Sequence, residues 1–305
     1  MPKIAWRLRL MLWIIKLFQK PLHQSDIDKL RKRSNSKRTA YFSDIFRIKV
    51  HRIEDTYFLS QDHRIKVRCY YPSDTDSYPT VLFFHGGGFV LGGLNGYDHF
   101  CRRLSRFLDC MVASVDYRLA PEHKYPAAHL DAWNALQWLM AKSQDLKVEQ
   151  DRITVMGDSA GGNLAASLAF KARDQGIELH NQVLIYPVVD FRKRDRQYYD
   201  QFLVGREDSK WFAHQFLNSE EESNDPELSI ILNENFENLP ATLIIQAEYD
   251  HLNGEIDEFS KSLTTTTKLV FPGTFHGFIT MFNWTNYSKK GFLEIKRFLR
   301  PVSQG

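Results

Sequence analysis

Short, almost wholly apolar runs alternate with helix-period segments along most of the chain. Six such runs follow residue 80, at 81–84, 111–113, 153–156, 183–185, 242–245 and 268–271. Strands that are apolar on both faces are typical of a parallel sheet covered by helices. Between the runs, apolar residues recur at three- and four-residue steps in segments 96–108, 127–142, 160–173, 254–264 and 286–299. The alternation predicts right-handed βαβ crossovers and a mostly parallel, twisted sheet flanked by helices, the α/β class.

The residues before the first of these runs have a different pattern. Alternation with intervening turn residues predicts antiparallel edge strands at 46–50, 57–60 and 65–71. Residues 190–238 later interrupt the α/β pattern with a polar insertion that contains aromatic residues, and we expect a helix around 209–217. We therefore predict one α/β domain, residues 46–305, with a small helical cap inserted at 190–238.

The first 45 residues form a separate, helical segment in this pattern. Helical spacing relates four apolar residues near the start, Trp6, Leu10, Trp13 and Leu17. Basic residues interrupt this stretch, so it lacks the roughly 20 predominantly apolar residues that a membrane-spanning helix needs. It also lacks a small-residue cleavage site of a secretory signal. A capping signal at Ser25-Asp26-Ile27-Asp28 predicts a second helix, and we expect residues 1–45 to form an N-terminal helical cap segment.

Charge is distributed unevenly between this segment and the rest of the chain. The net charge of the 305 residues is only +3, yet residues 1–40 hold 11 Lys and Arg against two Asp. The basic, Trp-rich first helix has two interpretations: docking on the core, or peripheral membrane contact through residues 1–20. Nucleic acid is excluded as a partner because no recognised binding module accompanies the basic residues. The oligomeric state is left open.

Cysteine usage indicates the compartment. The chain has three cysteines, Cys69, Cys101 and Cys110, with neither disulfide-framework nor metal-site spacing. An odd count of this kind fits a reducing compartment, so we expect a cytoplasmic protein, membrane-associated only peripherally. The sequence has no His-Glu-x-x-His or Cys-x-x-Cys pattern, and we expect no metal site.

Ser159 lies in Gly157-Asp-Ser-Ala-Gly161, between the apolar run at 153–156 and a helix-period segment. A nucleophile on a sharp strand-to-helix turn needs glycine neighbours, because larger side chains would collide there. The helix that follows directs its N-terminal amides at the site and favours developing negative charge. A helix N-cap serine is the alternative interpretation. The strand before and the helix after favour a nucleophile.

Three glycines, Gly86, Gly87 and Gly88, follow the apolar run at 81–84. A backbone without side chains can lie flat and offer its amides to an oxyanion, as in the oxyanion-hole loop of lipases and esterases. A flexible turn and a phosphate-binding loop are the alternatives. The phosphate loop is disfavoured because the spacing misses Gly-x-Gly-x-x-Gly and no Gly-Lys-Ser/Thr follows.

An acid and a base should follow the nucleophile in the order Ser, Asp, His. Asp250 ends the apolar stretch that begins at 242, and the carboxyl edge of a parallel sheet is where such sites assemble. His276 lies in a glycine-flanked loop after the last apolar run. Three other acidic residues compete with Asp250: Glu248, Glu255 and Asp257.

The pairing of His-Gly-Gly-Gly-Phe at 85–89 with Gly-Asp-Ser-Ala-Gly-Gly-Asn at 157–163 resembles the hormone-sensitive-lipase-like family of esterases, which includes bacterial-type carboxylesterases. The segment 116–128 looks like that family's internal signature, which is structural more than catalytic. The resemblance extends over most of the predicted α/β domain and implies the α/β-hydrolase fold. It implies a triad of Ser159, Asp250 and His276 and an N-terminal helical cap. It also implies an oxyanion hole formed by the amides of Gly87, Gly88 and Ala160.

The sequence departs from that family directly after the acid. The family usually continues with Pro-Leu, whereas here Asp250 is followed by His251 and Leu252, which should loosen the turn. The resemblance implies a lipase-like carboxylic-ester hydrolase that needs no cofactor and acts on small-molecule esters. A small pocket roofed by the insertion at 190–238 and the N-terminal helices favours acyl chains of short to medium length. The alternatives are an amide or carbamate hydrolase with the same triad, or a non-catalytic binding protein on this scaffold. Four aromatic residues of the predicted cap have two possible roles, lining the pocket or holding the cap together. They are Phe202, Trp211, Phe212 and Phe216.

Overall fold

A computed structural model describes residues 10, 12, 13, 20–36, 48–192, 197, 199, 202, 204–280 and 285–299. Within these residues eight strands form a single sheet. They are β1 Arg52–Ser60, β2 His63–Tyr71, β3 Tyr78–Phe84, β4 Met111–Asp116, β5 Val148–Asp158, β6 Asn181–Ile185, β7 Ala241–Tyr249 and β8 Thr266–Phe275. Their order across the sheet is β1-β2-β4-β3-β5-β6-β7-β8.

The sheet is antiparallel at one edge and parallel elsewhere. β1 pairs with β2 and β2 with β4 in antiparallel fashion, and the remaining neighbours are parallel. The six apolar runs therefore form strands as predicted, and so do 57–60 and 65–71. The prediction of a strand at 46–50 was wrong for the described part, 48–50, which is not in a strand. Arg52 already pairs with Tyr71, the last residue of β2, so the chain before it has no strand to join. Residues 46 and 47 lie outside the described residues.

Helices cover both faces of this sheet. The α-helices in the described ranges are α1 Ile27–Ser34, α2 Leu94–Leu108, α3 Ala127–Ala141, α4 Ser143–Leu146, α5 Ala160–Asp174, α6 Arg206–Phe216, α7 Asn253–Ser262 and α8 Asn286–Leu299. Residues of β3 alternate between two separate buried clusters: Leu82 and Phe84 pack in one, and Val81 and Phe83 in the other. The predicted helices at 96–108, 127–142, 160–173, 254–264 and 286–299 are confirmed, as is the helix around 209–217. Because both faces of the sheet are covered, its parallel strands are almost wholly apolar.

The start of α1 follows the predicted capping signal. Asp26 is the N-cap, and its side chain accepts a hydrogen bond from the Lys29 amide at 2.9 Å. The helix docks on the core through Ile27 and Leu30, which pack on the main buried cluster, and through Arg31. The Arg31 guanidinium donates to the carbonyls of Val90 and Ala120 at 2.8 and 2.6 Å and forms a bidentate pair with Glu122.

The preceding apolar segment is described only at three helical residues. Leu12 is buried, whereas Leu10 and Trp13 are 48% and 60% exposed. Two of the residues predicted to share its apolar face, Trp6 and Leu17, lie outside the described residues. Among the residues that the structure describes, no helix is both long and apolar enough to cross a membrane.

Candidate active site

Ser159 lies at the turn between β5 and α5, where the strand passes directly into the helix. Its φ and ψ are 54° and −118°, and its amide donates to the Ile185 carbonyl of β6 at 2.8 Å. A Cβ on Gly157 would collide with the carbonyl of Gly161, and a Cβ on Gly161 would collide with that of Phe84. The glycines thus permit the close approach of strand and helix that leaves the Ser159 hydroxyl at the carboxyl edge of the sheet.

The structure brings the predicted serine, histidine and aspartate into one hydrogen-bonded set. His276 Nε2 lies 2.9 Å from Ser159 Oγ, and His276 Nδ1 lies 2.6 Å from Asp250 Oδ2. Asp250 follows β7 and His276 follows β8, so adjacent parallel strands deliver both side chains to the same edge. The second carboxylate oxygen, Asp250 Oδ1, accepts the Leu252 amide at 3.1 Å.

The competing acids are held elsewhere. Glu248 accepts the Gly273 amide at 2.6 Å, a contact between β7 and β8. Asp257 pairs with Lys268 at 2.6 Å, and Glu255 faces the Val189 amide. Asp250 is therefore the acid that reaches His276. The replacement of proline by His251 does not displace the carboxylate, because the Leu252 amide holds it in the turn.

The two charged partners shift each other's titration. Burial by itself would lower the pKa of His276, but the charge of Asp250 and its hydrogen bond raise that pKa above the ordinary 6.5. Burial likewise opposes ionisation of Asp250, yet the charge of His276 and its hydrogen bond hold the pKa of Asp250 below its usual 3.8. The geometry therefore favours an ionised Asp250, which stabilises a proton on His276.

The glycine loop after β3 lies beside this set. Gly87 and Gly88 have φ values of 125° and 62°, a region that favours glycine. Within the described part of the chain, the amides of Gly87, Gly88 and Ala160 donate to no protein acceptor. A Cβ on Gly88 would overlap the Phe212 ring of α6, so the cap packs directly on the loop. Free amides on a side-chain-free loop next to a nucleophile are suited to binding an oxyanion.

Asp158 is a site residue that the sequence reasoning did not single out. Its carboxylate accepts the Gly86 amide at 2.8 Å and the hydroxyls of Tyr97 and Thr280 at 3.0 Å each. Burial raises the pKa of Asp158 to about 6, despite these hydrogen bonds. One carboxylate next to Ser159 therefore fixes both the glycine loop and the loop that carries His276. Its place between Gly157 and Ser159 was the available signal.

The segment 116–128 has a structural role next to the site, as the resemblance implied. The Arg118 guanidinium pairs with the fully buried Asp131 of α3, with Nη2 to Oδ1 at 2.7 Å. Tyr117 donates its hydroxyl to the His85 carbonyl at 2.6 Å, and the two rings stack at 4.3 Å. These contacts fix the strand end from which the glycine loop begins.

The cap aromatics divide between the two roles considered for them. Phe216 is buried and stacks on Phe89 at 3.9 Å with an interplanar angle of 5°, which anchors α6 to the core. Phe202 stacks on Phe275, the neighbour of His276, at 5.1 Å. Phe212 covers Gly88, and Trp211 packs on Phe212 at 5.0 Å. Phe202 and Phe212 are thus the two of these aromatics that contact the loops carrying the reactive groups, and Trp211 supports Phe212.

Comparison with known proteins agrees with the fold. A family model described as alpha/beta hydrolase fold matches residues 81–280. The chain is 38% identical to the carboxylic ester hydrolase LipN of Mycobacterium tuberculosis over 250 residues, 77% of this chain and 66% of LipN. It is 37% identical to the gibberellin receptor GID1A of Arabidopsis thaliana over 163 residues, 51% of this chain and 47% of the receptor.

A solved structure extends the comparison to nearly the whole chain. The hyperthermophilic esterase from the archaeon Pyrobaculum calidifontis superposes with a TM-score of 0.92 and 32% identity, covering 98% of both chains. The chain belongs to the α/β-hydrolase-fold family, the class that its sheet order and strand-to-helix serine turn define.

Proposed function

We propose that this protein cleaves carboxylic esters of short to medium acyl length through a Ser159–His276–Asp250 triad. That it is a carboxylic ester hydrolase is supported by its family and by relatives named for that activity. One observation carries the mechanism: His276 lies within 2.9 Å of Ser159 Oγ and 2.6 Å of Asp250 at once. This is the arrangement of nucleophile, base and orienting acid that acyl transfer requires.

In the proposed cycle, neutral His276 accepts the Ser159 proton through Nε2 as Oγ attacks the ester carbonyl carbon. Asp250 holds the proton on Nδ1 and stabilises the imidazolium that forms. His276 then protonates the departing alkoxide oxygen and leaves an acyl group on Ser159. Water repeats both proton transfers, releases the carboxylic acid and restores the serine. Besides the ester and water, the proposed cycle uses these three side chains and the backbone amides that bind the oxyanion.

We assign stabilisation of the negatively charged oxygen of the tetrahedral intermediate to the amides of Gly87, Gly88 and Ala160. Each is free of protein acceptors within the described residues, and Ala160 opens α5, whose first amides favour an anion. Donors of this kind contribute on the order of 3 kcal/mol each in related acyl-transfer enzymes. Asp158 supports this role because it holds the Gly86 amide and so fixes the loop.

The preference for short to medium acyl chains is inferred from the roof. Phe212 packs on Gly88 and Phe202 on Phe275, so aromatic rings lie against both the glycine loop and the residue before His276. We assign this roof to the two proposed cap regions, residues 1–45 and 190–238. They contact each other where the His23 ring meets Asp208 at 2.7 Å.

Ser159→Ala tests the nucleophile. Because loss of the serine removes covalent catalysis, turnover of p-nitrophenyl butyrate should fall roughly a millionfold. The far-ultraviolet circular dichroism should stay that of the wild type. A fluorophosphonate probe should label the wild type and not the variant. Substantial residual turnover, or labelling of the variant, would contradict the assignment.

The same measurements distinguish a hydrolase from a binding protein. One relative is named as a receptor, so family membership alone does not decide this point. The intact hydrogen-bonded set of Ser159, His276 and Asp250 favours catalysis. A binding protein would show neither turnover nor probe labelling. An acyl panel from acetate to palmitate, with the matched anilides, then reports chain length and the preference for esters over amides.

A further inference from the structure

A second histidine lies behind the carboxylate of the proposed triad. His251 is almost completely buried, with 7% of its side chain exposed, and its Nδ1 lies 3.6 Å from Asp250 Oδ1. Its ring centre is 5.9 Å from that of His276. Asp250 is thus flanked by two imidazoles: His276 hydrogen-bonds to Oδ2, and His251 faces Oδ1.

The other nitrogen of His251 reaches the cap. His251 Nε2 lies 3.1 Å from the hydroxyl oxygen of Ser209, which belongs to α6. When the Ser209 hydroxyl donates to Nε2, the ring proton must reside on Nδ1, the nitrogen that faces Asp250. The opposite tautomer would present a lone pair to a carboxylate, which is unfavourable. The carboxylate therefore favours the Nδ1–H tautomer, and the Ser209 hydroxyl completes it by donating to Nε2 and holding the ring in place.

The interaction between His251 and Asp250 is electrostatic. A separation of 3.6 Å is too long for a hydrogen bond. It is nonetheless short enough for the ring N–H to favour the ionised carboxylate, because both groups are buried and poorly screened. When His251 is protonated, its positive charge is among the influences that lower the pKa of Asp250. Oδ1 also accepts the Leu252 amide, so the carboxylate is held on that side by two groups.

The helix that carries Ser209 also covers the glycine loop. Phe212 follows Ser209 by three residues, which puts both on one face of α6. Ser209 contacts the acid side of the site, and Phe212 lies against Gly88 on the oxyanion side. The position of α6 therefore affects both the acid side and the oxyanion side of the reaction centre.

We propose that His251 is a positioning residue for Asp250, and that Ser209 on the cap sets its orientation. The proposal rests on the proposed function, because His251 acts on the ester reaction only through Asp250 and His276. It gives the cap a part in aligning the triad as well as in selecting substrate. It also gives a role to the residue that stands where the resembled esterases usually carry proline.

Three variants and one control test the proposal. Ser209→Ala removes the hydroxyl, and His251→Leu removes both ring nitrogens at similar size. His251→Asn keeps an N–H near the Nδ1 position but loses the contact with Ser209. Lys210→Ala, at the exposed neighbour of Ser209 on α6, is the matched control. Kinetics with p-nitrophenyl butyrate are referred to active sites titrated with the fluorophosphonate, so that misfolded protein is not counted.

We expect His251→Leu to lower kcat about tenfold and Ser209→Ala severalfold, each with KM changed less than about twofold. The double variant Ser209→Ala/His251→Leu should match His251→Leu alone, because Ser209 acts through His251. His251→Asn should restore most of kcat and become insensitive to Ser209→Ala. The downfield proton resonance of the His276–Asp250 hydrogen bond should shift in His251→Leu and Ser209→Ala but not in Lys210→Ala.

Wild-type kcat per titrated site in both His251→Leu and Ser209→Ala would overturn the proposal. So would an effect on KM alone, which would indicate a role in the pocket and not in alignment. These outcomes are separate from failure of the proposed function. If the Ser159→Ala variant were active, the nucleophile would be wrong, whereas an inactive Ser159→Ala variant with fully active His251 variants would refute only the role of His251.

Discussion

His276 is the residue whose protonation state decides when the proposed site can react. It must be neutral to accept the Ser159 proton, yet Asp250 raises its pKa above 6.5. The acid limb of kcat/KM should therefore have an apparent pKa above 6.5, and activity should fall about tenfold per pH unit below it. Initial rates with a short soluble ester between pH 5 and 9 measure this limb.

Asp250→Asn is the matched variant for this measurement. It removes the charge that raises the pKa of His276, so the acid limb should move to lower pH. The rate itself should drop by about four orders of magnitude, because the amide favours the wrong tautomer. A flat wild-type profile between pH 5 and 8 would argue against His276 as the base.

At the scale of the element, α1 is bound to the core in part by one side chain that makes several hydrogen bonds. Arg31 satisfies the carbonyls of Val90 and Ala120, which lie just beyond the glycine loop and in the segment 116–128. Arg31→Ala should lower the free energy of unfolding by about 2 kcal/mol, since two charge-assisted hydrogen bonds to backbone carbonyls are lost. The pair with Glu122 adds little, because Glu122 is largely exposed.

Urea unfolding of Arg31→Ala alongside Lys32→Ala measures this contribution. Lys32 is the exposed neighbour on the same helix, so its variant controls for the loss of one positive charge. The midpoint of Lys32→Ala should stay close to that of the wild type. Equal midpoints for the two variants would show that α1 is held by something other than Arg31.

The elements themselves were largely predictable from local pattern. The runs at 81–84 and 242–245 form strands of a sheet that is covered on both faces. Such strands need apolar side chains on both faces, and consecutive apolar residues show this need in the sequence. The strand at 46–50 was wrong in its described part because pairing depends on a partner, and β2 ends opposite Arg52. Apolar alternation alone carries no information about where the neighbouring strand stops.

The site residues also divide into those that local pattern predicts and those that depend on contacts between distant parts of the chain. Ser159, Asp250 and His276 were named because chain order and strand ends locate them, and the structure brings them together. The contacts of Asp158 with Thr280 and of Ser209 with His251 join residues 122 and 42 positions apart. Such pairs depend on how distant elements pack, and neither spacing nor composition reveals them.

At the scale of the whole molecule, chemistry and enclosure come from different parts of the chain. The reactive groups follow β3, β5, β7 and β8, at one edge of the sheet. We propose that the roof comes from α6 and from the N-terminal segment, and these two parts meet where His23 contacts Asp208. Because these parts are distinct, substrate range can change by altering the roof while the strand ends keep the reactive groups in place.

The backbone of Ser159 has a consequence for the stability of the protein as a whole. A φ of 54° with a ψ of −118° is a conformation that strains any residue with a Cβ, by on the order of 1–3 kcal/mol. The residue on which activity depends therefore lowers the free energy of unfolding of the protein. Ser159→Gly and Ser159→Ala both remove the hydroxyl, but only glycine relieves the strain, at the expense of a more flexible unfolded chain.

The free energy of unfolding of Ser159→Gly should accordingly exceed that of Ser159→Ala by about 1 kcal/mol, the relieved strain less the added entropy of the unfolded chain. Paired denaturant titrations of the two inactive variants measure this difference. A glycine variant no more stable than the alanine variant would mean that the turn is relaxed. A more stable glycine variant would show that the Cβ at this position is strained, so that the strand-to-helix turn is a place where this enzyme gives up stability to expose a reactive hydroxyl.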